Sequence, residues 1–466
     1  MPDPALGSLS LAEAADLLRR RKLSPVELAE AVLARIEALQ PVLNAFTTLV
    51  PRDQMLAAAR TAEREIAGGR YRGVLHGVPV SVKDLIDTAG LRTTYGSGMF
   101  RDHVPTRDGA MPERLRAAGA VVTGKSATHE LGKGITTDNY FFGPTRNPWN
   151  HAHVPGGSSG GAAAAAAAEL GPLHVGTDGG GSVRIPAAFC GVVGLKPTLG
   201  LLSNRGQFGG TGSSFSVPGP LTRTVRDAAL AAQALAGFDP EYTYSRPGPV
   251  PDLLADLERG VRGLRVATSP DLLSPAPDPA ARAAYEATLR RLEDLGARLV
   301  EVRMPHHELV VRTIMWVLNV EGSAHMEQLM GDRPRVFSPA VQRLNELTRT
   351  PDVAGCMRAQ ESRQRITRDY QAAFCEADVL VTPTVPITAP QIGGDELGGA
   401  ARCSAYTGAA NLAGIPSVAL PAGAADGLPL GIQILAAAGG DALALRVAFA
   451  LEQAAPEHRV QTPPVH

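Results

Sequence analysis

The chain has 466 residues, of which 44% are hydrophobic and 20% are charged. This composition excludes an intrinsically disordered protein, and a chain of this length buries enough apolar surface to fold without disulfides or metal ions. Lys and Arg (45) nearly balance Asp and Glu (46), and aromatic residues make up only 5%. A basic surface that binds phosphates and stacks on bases is therefore not expected.

The sequence also lacks the usual signals for secretion and for metal binding. None of the four cysteines forms a Cys-x-x-Cys pair, which argues against a disulfide framework and against a zinc site. The first residues do not combine a basic start with an apolar core, and no apolar stretch reaches the ~20 residues of a membrane span. We expect a cytoplasmic protein without a membrane partner.

The chain opens with a segment that reads as helical. Ser10 and Glu13 have the spacing of a capping box, and Ser24 and Glu27 form a second one with proline at the first helical position. Apolar residues then recur every three or four positions, as in an amphipathic helix.

A strand pattern follows. Val78, Val80 and Val82 lie on one face of the predicted strand, and Ser81 and Lys83 lie on the other. Five more short apolar runs, each bounded by glycine or proline, predict strands over residues 120–124, 173–177, 264–268, 378–384 and 431–435.

Helical patterns lie between several of these runs, over residues 108–118 and 279–295. Strands that alternate with helices predict an α/β fold with a largely buried sheet. The segment SRPGPVPD (245–252) is the best candidate for a linker, and we expect it to join two halves of one domain.

Glycine and serine are concentrated in two segments, PGGSSGG (155–161) and GTDGGGSVR (176–184). Dense glycine is expected where the backbone turns tightly or approaches another group closely. Two structural loops without chemistry are one interpretation. A phosphate-binding loop is a second, although neither a Walker A sequence nor GxGxxG occurs in these segments. A hydrolase elbow is a third, because residues 156–160 match GxSxG, but a loop rather than a strand precedes them.

The fourth interpretation uses both segments. Consecutive glycines before Ser182 can direct several main-chain N–H groups to one point, as an oxyanion hole requires, with the Ser182 hydroxyl beside it. A serine nucleophile needs a base, and no histidine is well placed to be nominated. Lys83 can serve if it is neutral, and lowering its pKa from ~10.4 to ~7.5 costs about 4 kcal/mol.

Seven stretches then carry a family resemblance. They are GVPVSVKDLIDTAGLRTTYGS (77–97), AGAVVTGKSATHELG (118–132), FGPTRNPWN (142–150), PGGSSGGAAAA (155–165), GTDGGGSVRIPAAFCGVVGLKPTLG (176–200), PLTRTVRDAALAAQALAG (220–237) and YTGAANLAGIPSVALPAG (406–423). On these stretches, the chain resembles the amidase signature family of serine hydrolases. The resemblance extends over nearly the whole chain.

The resemblance implies a Ser–cis-Ser–Lys triad. Ser182 corresponds to the nucleophile, Ser158 to the bridging serine and Lys83 to the base, and the peptide bond between Gly157 and Ser158 is expected to be cis. The oxyanion hole is expected from the main-chain N–H groups of Gly179, Gly180, Gly181 and Ser182. Three residues are expected to support the loops without reacting: Asp178, Arg184 and Ser159.

The fold implied by the resemblance is α/β, with a central twisted mixed β-sheet flanked by helices on both faces (α/β/α). We expect a single domain over 1–466. It would comprise a helical N-terminal segment (1–70), a catalytic core region (71–240), and a half with the substrate pocket and the C-terminal strands (241–466). No metal ion or organic cofactor is implied.

The implied function is an amidohydrolase that cleaves C–N bonds of small amides, anilides or carbamates, and also esters, through an acyl-enzyme on Ser182. The alternative is the glutaminase subunit of a tRNA-dependent amidotransferase. That subunit typically carries an acidic residue shortly before the NLAG motif, where this chain has Ser404. The sequence therefore favours the stand-alone hydrolase.

We expect a small-molecule amide-type substrate and no nucleic-acid partner, and the one assembly considered is a homodimer. The apolar candidates for the substrate pocket are Met99, Phe141, Phe142, Trp316 and Tyr406.

Overall fold

The computed structural model describes residues 4–209, 213–330, 336–347 and 353–464. Its strands are β1 (Phe46–Leu49), β2 (Pro79–Lys83), β3 (Val121–Ser126), β4 (Asp138–Asn139), β5 (Gly143–Pro144), β6 (Leu173–Asp178), β7 (Val193–Lys196), β8 (Val217–Thr222), β9 (Arg265–Thr268), β10 (Arg298–Glu301), β11 (Val379–Pro383), β12 (Ser417–Ala425) and β13 (Leu428–Ala436).

The α-helices of the same residues are α1 (Leu11–Arg19), α2 (Pro25–Leu43), α3 (Arg52–Ala67), α4 (Ala110–Ala117), α5 (Gly160–Ala167), α6 (Arg184–Cys190), α7 (Val225–Leu235), α8 (Pro279–Asp294), α9 (Val310–Met330), α10 (Pro339–Leu347), α11 (Val353–Glu376), α12 (Glu396–Leu412) and α13 (Asp441–Ala454). Short 3-10 helices lie at Pro4–Ser8, Gly98–Phe100, Glu130–Gly132, Pro270–Leu273, His307–Leu309 and Pro456–His458.

Local sequence signals begin the first two helices. Ser10 Oγ accepts from the Glu13 N–H at 3.2 Å, and the Glu13 carboxylate accepts from the Ser10 N–H at 2.9 Å. The same reciprocal pair of bonds joins Ser24 and Glu27 at the start of α2. Each box satisfies N–H groups that have no partner inside the helix. Both predicted capping boxes are confirmed.

Eleven strands form one mixed sheet in the order β1-β3-β2-β6-β8-β7-β12-β13-β11-β9-β10. Strands β3, β2 and β6 run parallel, as do β11, β9 and β10, and the strands between these two blocks pair antiparallel. Strands β4 and β5 form a separate small ladder.

Helices cover both faces of this sheet. In β11, Val379 and Val381 pack in the apolar cluster that contains α8 and α13, whereas Leu380 packs in the cluster that contains α9, α11 and α12. Successive strand residues point to opposite faces, so the two clusters lie on opposite sides. The sheet is therefore buried on both faces, as predicted for a mixed sheet between two layers of helices.

The six predicted strands and the helices predicted over 108–118 and 279–295 are all present, with ends shifted by a few residues. Residues 245–252 contain neither helix nor strand. The sheet continues across this segment, because β12 pairs with β7. None of the described helices combines the length and apolar character that a membrane crossing requires.

Candidate active site

The site lies where two parallel neighbours, β2 and β6, end at the same edge of the sheet. Lys83 is the last residue of β2, and Thr177 and Asp178 end β6. Lys83 Nζ lies 2.9 Å from Thr177 Oγ1. Ligand and catalytic groups in α/β proteins commonly collect at the carboxyl ends of strands. The alternation in β2 explains the placement, because Val80 and Val82 face the core and Lys83 faces the opposite side.

Ser158 lies in the loop that leads into α5, and the Gly157–Ser158 peptide bond is cis, as expected from the family resemblance. Ser158 Oγ lies 2.7 Å from Lys83 Nζ, so the structure brings the predicted base and bridging serine into direct contact. The Ser158 carbonyl accepts from the His129 N–H at 3.1 Å. A Cβ on Gly157 would lie 2.7 Å from the main chain of Ile135, so only glycine permits this close approach.

Burial decides the protonation of Lys83. The side chain is fully buried, and this burial lowers its pKa well below the ordinary value of 10.5, although the charge of Asp178 opposes the shift. A buried amine of this kind favours its neutral form, which can accept a proton.

A buried ion pair shapes the loop after β6. The carboxylate of Asp178 accepts hydrogen bonds from Arg184 Nε and Nη2, both at 3.0 Å, and both side chains are fully buried. Burial alone would raise the pKa of Asp178, but the Arg184 guanidinium overrides this effect and holds the pKa well below its usual range. The same carboxylate accepts the main-chain N–H groups of Gly181 (2.8 Å) and Val183 (3.1 Å). These bonds join Asp178 and Arg184 to each other and to the main chain of the loop.

Two residues of the C-terminal half complete this network, and the sequence analysis did not identify them. Asn411 Oδ1 accepts from Arg184 Nη2 at 2.7 Å, and its Nδ2 donates to the Asp178 carbonyl at 2.8 Å. Gln433 Oε1 accepts from Arg184 Nη1 at 3.0 Å. Asn411 belongs to the NLAG motif, so that motif was the available signal; Gln433 had none.

The loop differs from the predicted oxyanion hole in one respect. Because the Gly181 N–H already donates to Asp178, it is not available to a substrate oxygen. Gly179, Gly180 and Ser182 are partly exposed and line a common cavity. Of the four residues that the sequence predicts for the oxyanion hole, these three remain candidates.

Ser159 connects the two glycine-rich loops. Its hydroxyl donates to the Thr177 carbonyl at 3.1 Å, and its N–H donates to the Ser182 carbonyl at 3.1 Å. The supporting position that the sequence predicts for Ser159 thus has a physical basis in these two bonds.

Ser158 and Ser182 line the same cavity, which has a volume of about 480 Å³. No hydrogen bond joins their two hydroxyls, although both residues lie in the described part of the chain. Catalytic hydrogen bonds often tighten only around a substrate. The structure therefore brings together Lys83 and Ser158 directly, and Ser182 only by its place in the cavity.

Both halves of the chain form the cavity wall. The N-terminal half contributes residues around 131–135, 207–209 and 213–216, and the C-terminal half contributes residues of α9, α10 and α12. The predicted apolar pocket residues are wrong, because none of the five lines this cavity: Met99, Phe141, Phe142, Trp316 and Tyr406. Tyr406, for example, is buried and donates its hydroxyl to the Pro275 carbonyl at 2.5 Å.

Comparison with known proteins identifies the family. The model of the Amidase family matches residues 27–445. A glutamyl-tRNA(Gln) amidotransferase subunit from Roseiflexus sp. (strain RS-1) is 37% identical, and the match covers 97% of this chain and 98% of the relative's own length. The chain belongs to the amidase signature family, whose members act on C–N bonds.

Solved structures agree with this assignment. A bacterial aryl acylamidase of the amidase signature family has a TM-score of 0.89 and 29% identity, and the match covers 96% of both chains. A structure described as "An unexpected vestigial protein complex reveals the evolutionary origins of an s-triazine catabolic enzyme" has a TM-score of 0.90 and 33% identity over 97% of this chain and all of its own. The predicted α/β fold is confirmed.

The comparisons correct one expectation. We expected a small-molecule substrate without a nucleic-acid partner, and a homodimer was the one assembly considered. This expectation is wrong, because the Roseiflexus relative is one subunit of an amidotransferase and a similar structure belongs to a protein complex. The error arose because a balanced net charge excludes a broad basic surface but carries no information about protein partners.

The ion pair predicts a large effect on stability. Asp178→Asn leaves the buried Arg184 guanidinium without a countercharge, so we expect the free energy of unfolding to fall by about 3–5 kcal/mol. Urea unfolding followed by circular dichroism measures this change. The control is Asp16→Asn, which removes an exposed carboxylate that pairs with Arg19 and Arg20 on the surface and should shift the midpoint little. A loss below about 1 kcal/mol for Asp178→Asn would contradict the role given to the pair.

Proposed function

We propose that this chain hydrolyses the C–N bond of a small amide through an acyl-enzyme on Ser182. The observation that supports this most strongly is the 2.7 Å contact between Ser158 Oγ and the buried Lys83 Nζ, beside the cavity that Ser182 lines. A buried lysine in contact with a serine supplies the base that a serine nucleophile needs.

The reaction begins with a proton relay. Neutral Lys83 accepts the proton of the Ser158 hydroxyl, and Ser158 accepts that of Ser182. Ser182 Oγ then attacks the amide carbon, and the carbonyl oxygen becomes an oxyanion. The relay returns the proton to the nitrogen, the C–N bond breaks, and an acyl-enzyme remains. Water attacks the acyl-enzyme through the same relay and releases the acid.

The glycine loop stabilises the charge that develops. Gly179, Gly180 and Ser182 line the cavity, and in this proposal their main-chain N–H groups donate to the oxyanion. Asp178 does not take part in proton transfer, because Arg184 and the loop N–H groups occupy its carboxylate. Its role is to keep the loop in the shape that presents these donors.

This chemistry fits either a stand-alone amidase or the glutaminase subunit of a tRNA-dependent amidotransferase. The relatives favour the amidotransferase subunit. The glutamyl-tRNA(Gln) amidotransferase relative matches 97% of the chain. In this setting, the chain releases ammonia from an amide donor such as glutamine and works with partner subunits and an aminoacyl-tRNA. A specific observation supports the stand-alone amidase, because Ser404 lies on the cavity wall and offers no charge to an ammonium group. The proposal places this chain in the cytoplasm.

The first experiment removes the nucleophile. Purified chain is assayed with an aryl anilide, an aliphatic primary amide, an aryl carbamate and free glutamine. We expect Ser182→Ala to lower kcat at least about a thousandfold on every substrate that the wild type cleaves. The control is Ser126→Ala, which removes a buried hydroxyl without a hydrogen-bond partner among the described residues and should keep most of the activity.

The outcome also separates the two settings. Turnover of an anilide, amide or carbamate by the chain alone supports the stand-alone enzyme. Turnover of glutamine alone, or activity that requires added amidotransferase partner subunits, supports the amidotransferase setting. Equal activity of wild type and Ser182→Ala would remove Ser182 as the nucleophile.

The burial of Lys83 predicts the pH dependence. The base must be neutral, so activity is present above the folded-state pKa of Lys83 and is lost as the pH falls through it. Because burial lowers this pKa, the acidic limb of kcat/KM should have its midpoint well below the ordinary value of 10.5. A pH–rate profile measures the midpoint, and Lys83→Arg, which stays charged, should be inactive across the range. A limb centred near the ordinary lysine value would rule out Lys83 as the base.

A further inference from the structure

One face of α12 runs along the cavity away from the catalytic loop. Glu396, Leu397, Ala400 and Ser404 line the wall at the spacing of neighbouring helix turns. The helix rises by about 12 Å between Glu396 and Ser404. One turn beyond Ser404, Thr407 Oγ1 donates to the Gly180 carbonyl at 2.6 Å, which places this end of the helix beside the catalytic loop. We call this cavity the slot: its α12 wall runs from Ser404, next to the Thr407 end of the helix, to Glu396 about 12 Å further along the helix axis.

The carboxylate of Glu396 contacts a threonine and a histidine but no lysine or arginine among the described residues. Its Oε1 accepts from Thr136 Oγ1 at 3.0 Å and lies 3.3 Å from His129 Nε2. Among the described residues, no lysine or arginine forms an ion pair with it. Gly134 also lines the slot, and a Cβ there would collide with both His129 Nε2 and Glu396 Oε1. The absent side chain thus leaves room for the carboxylate at the wall.

The middle of the slot is apolar, and the slot is large. Ile135, Ile185, Phe215, Met315 and Leu318 line it. At ~30 Å³ per water-sized group, its volume holds roughly sixteen such groups, which is more than the non-hydrogen atoms of one glutamine.

Two cations also line the slot. Lys133 Nζ donates to Asn345 Oδ1 at 2.8 Å, and Arg343 lies on the exposed side of α10. The Lys133 ammonium therefore already binds a side chain of α10, whereas no lysine or arginine among the described residues pairs with the Glu396 carboxylate.

We propose that the amide substrate carries an ammonium group at the far end of its acyl chain, on the order of 10 Å from the scissile carbonyl, and that Glu396 binds it. This inference rests on the proposed function and names the class of acyl group that the site takes. The apolar middle of the slot binds the methylene chain between the two ends.

Three primary amides of equal length test the inference by ammonia release: ω-aminooctanamide, octanamide, and the monoamide of octanedioic acid. We expect kcat/KM for ω-aminooctanamide to exceed that for octanamide about tenfold, and Glu396→Gln to remove this advantage by raising KM for ω-aminooctanamide more than KM for octanamide. The glutamine side chain of this variant keeps an acceptor for Thr136, so the fold should be retained. Glu376→Gln, an exposed position at the end of α11, is the charge-matched control.

The outcomes separately test the ammonium site, the length of the slot and the proposed function. A preference for the monoamide with a carboxylate, or an equal effect of Glu396→Gln on ω-aminooctanamide and octanamide, would overturn the ammonium site. Glutamine cleaved faster than ω-aminooctanamide would overturn the slot length. Failure of the wild type to release ammonia from any of these amides or from glutamine would instead count against the proposed function itself.

A second observation concerns the peptide group between Gly180 and Gly181. Its carbonyl accepts from Thr407 Oγ1 at 2.6 Å, and its N–H donates to Asp178 Oδ1 at 2.8 Å. Both ends of one peptide plane are thus held from outside the loop. This is needed because glycine on both sides leaves the plane free to rotate, and Gly181 has a φ of +127° that other residues rarely adopt.

We infer that Thr407 is a positioning residue for the oxyanion hole. It touches no reacting atom. By fixing the plane of the Gly180–Gly181 peptide, it fixes the direction of the neighbouring Gly180 and Ser182 N–H groups. A catalytic loop that is already oriented avoids reorganisation in the transition state.

Thr407→Val keeps the shape and removes the hydroxyl. We expect kcat to fall about ten- to a hundredfold with KM within twofold of the wild type, and Thr407→Ser to restore most of kcat. Equal kcat in wild type and Thr407→Val, in an enzyme that Ser182→Ala inactivates, would overturn this inference alone. So would a Thr407→Ser variant as impaired as Thr407→Val, since the hydroxyl would then not be the cause.

Discussion

The buried ion pair between Asp178 and Arg184 is the interaction on which the geometry of the site depends. Removing two charges from water costs several kcal/mol per ion, and only a close pair with further hydrogen bonds offsets that cost. Here the remaining bonds come from the N–H groups of Gly181 and Val183 and from Asn411. The pair is therefore compatible with one shape of the loop, and that shape places Ser182 on the cavity wall.

The same pair sets the conditions for Lys83. Burial lowers the pKa of Lys83, whereas the negative charge of Asp178 stabilises the protonated amine and raises it. Because the Asp178 charge is neutralised by Arg184, burial dominates. The lysine is thus close to a carboxylate but does not form an ion pair with it among the described residues. Arg184 pairs with Asp178, and the Lys83 amine therefore contacts Ser158 and not the carboxylate.

Helix α12 connects these parts to the substrate end of the cavity. Near its end, Asn411 and Thr407 hold the loop around Asp178 and Gly180. At its start, Glu396 contacts His129, whose N–H holds the Ser158 carbonyl. A single helix therefore contacts the Gly180 loop directly, reaches the Ser158 loop through His129, and forms one wall of the slot. Its position links the shape of the pocket to the alignment of the reacting groups.

The sequence by itself determined the elements whose signals are local: the two capping boxes, the alternating strand that carries Lys83, and the glycine-rich loops around Ser158 and Ser182. Its motifs also predicted the family and the fold. Only the tertiary structure decided that the Gly181 N–H donates to Asp178 and not to a substrate oxygen, that Asn411, Gln433 and Thr407 contact the loop, and that none of the predicted apolar residues lines the cavity. The physical reason is separation along the chain: Asn411 and Gln433 contact the loop across more than two hundred residues. The spacing of apolar residues along the chain indicates which face of a strand or helix a residue occupies. The order of the strands in the sheet decides which residues lie opposite that face.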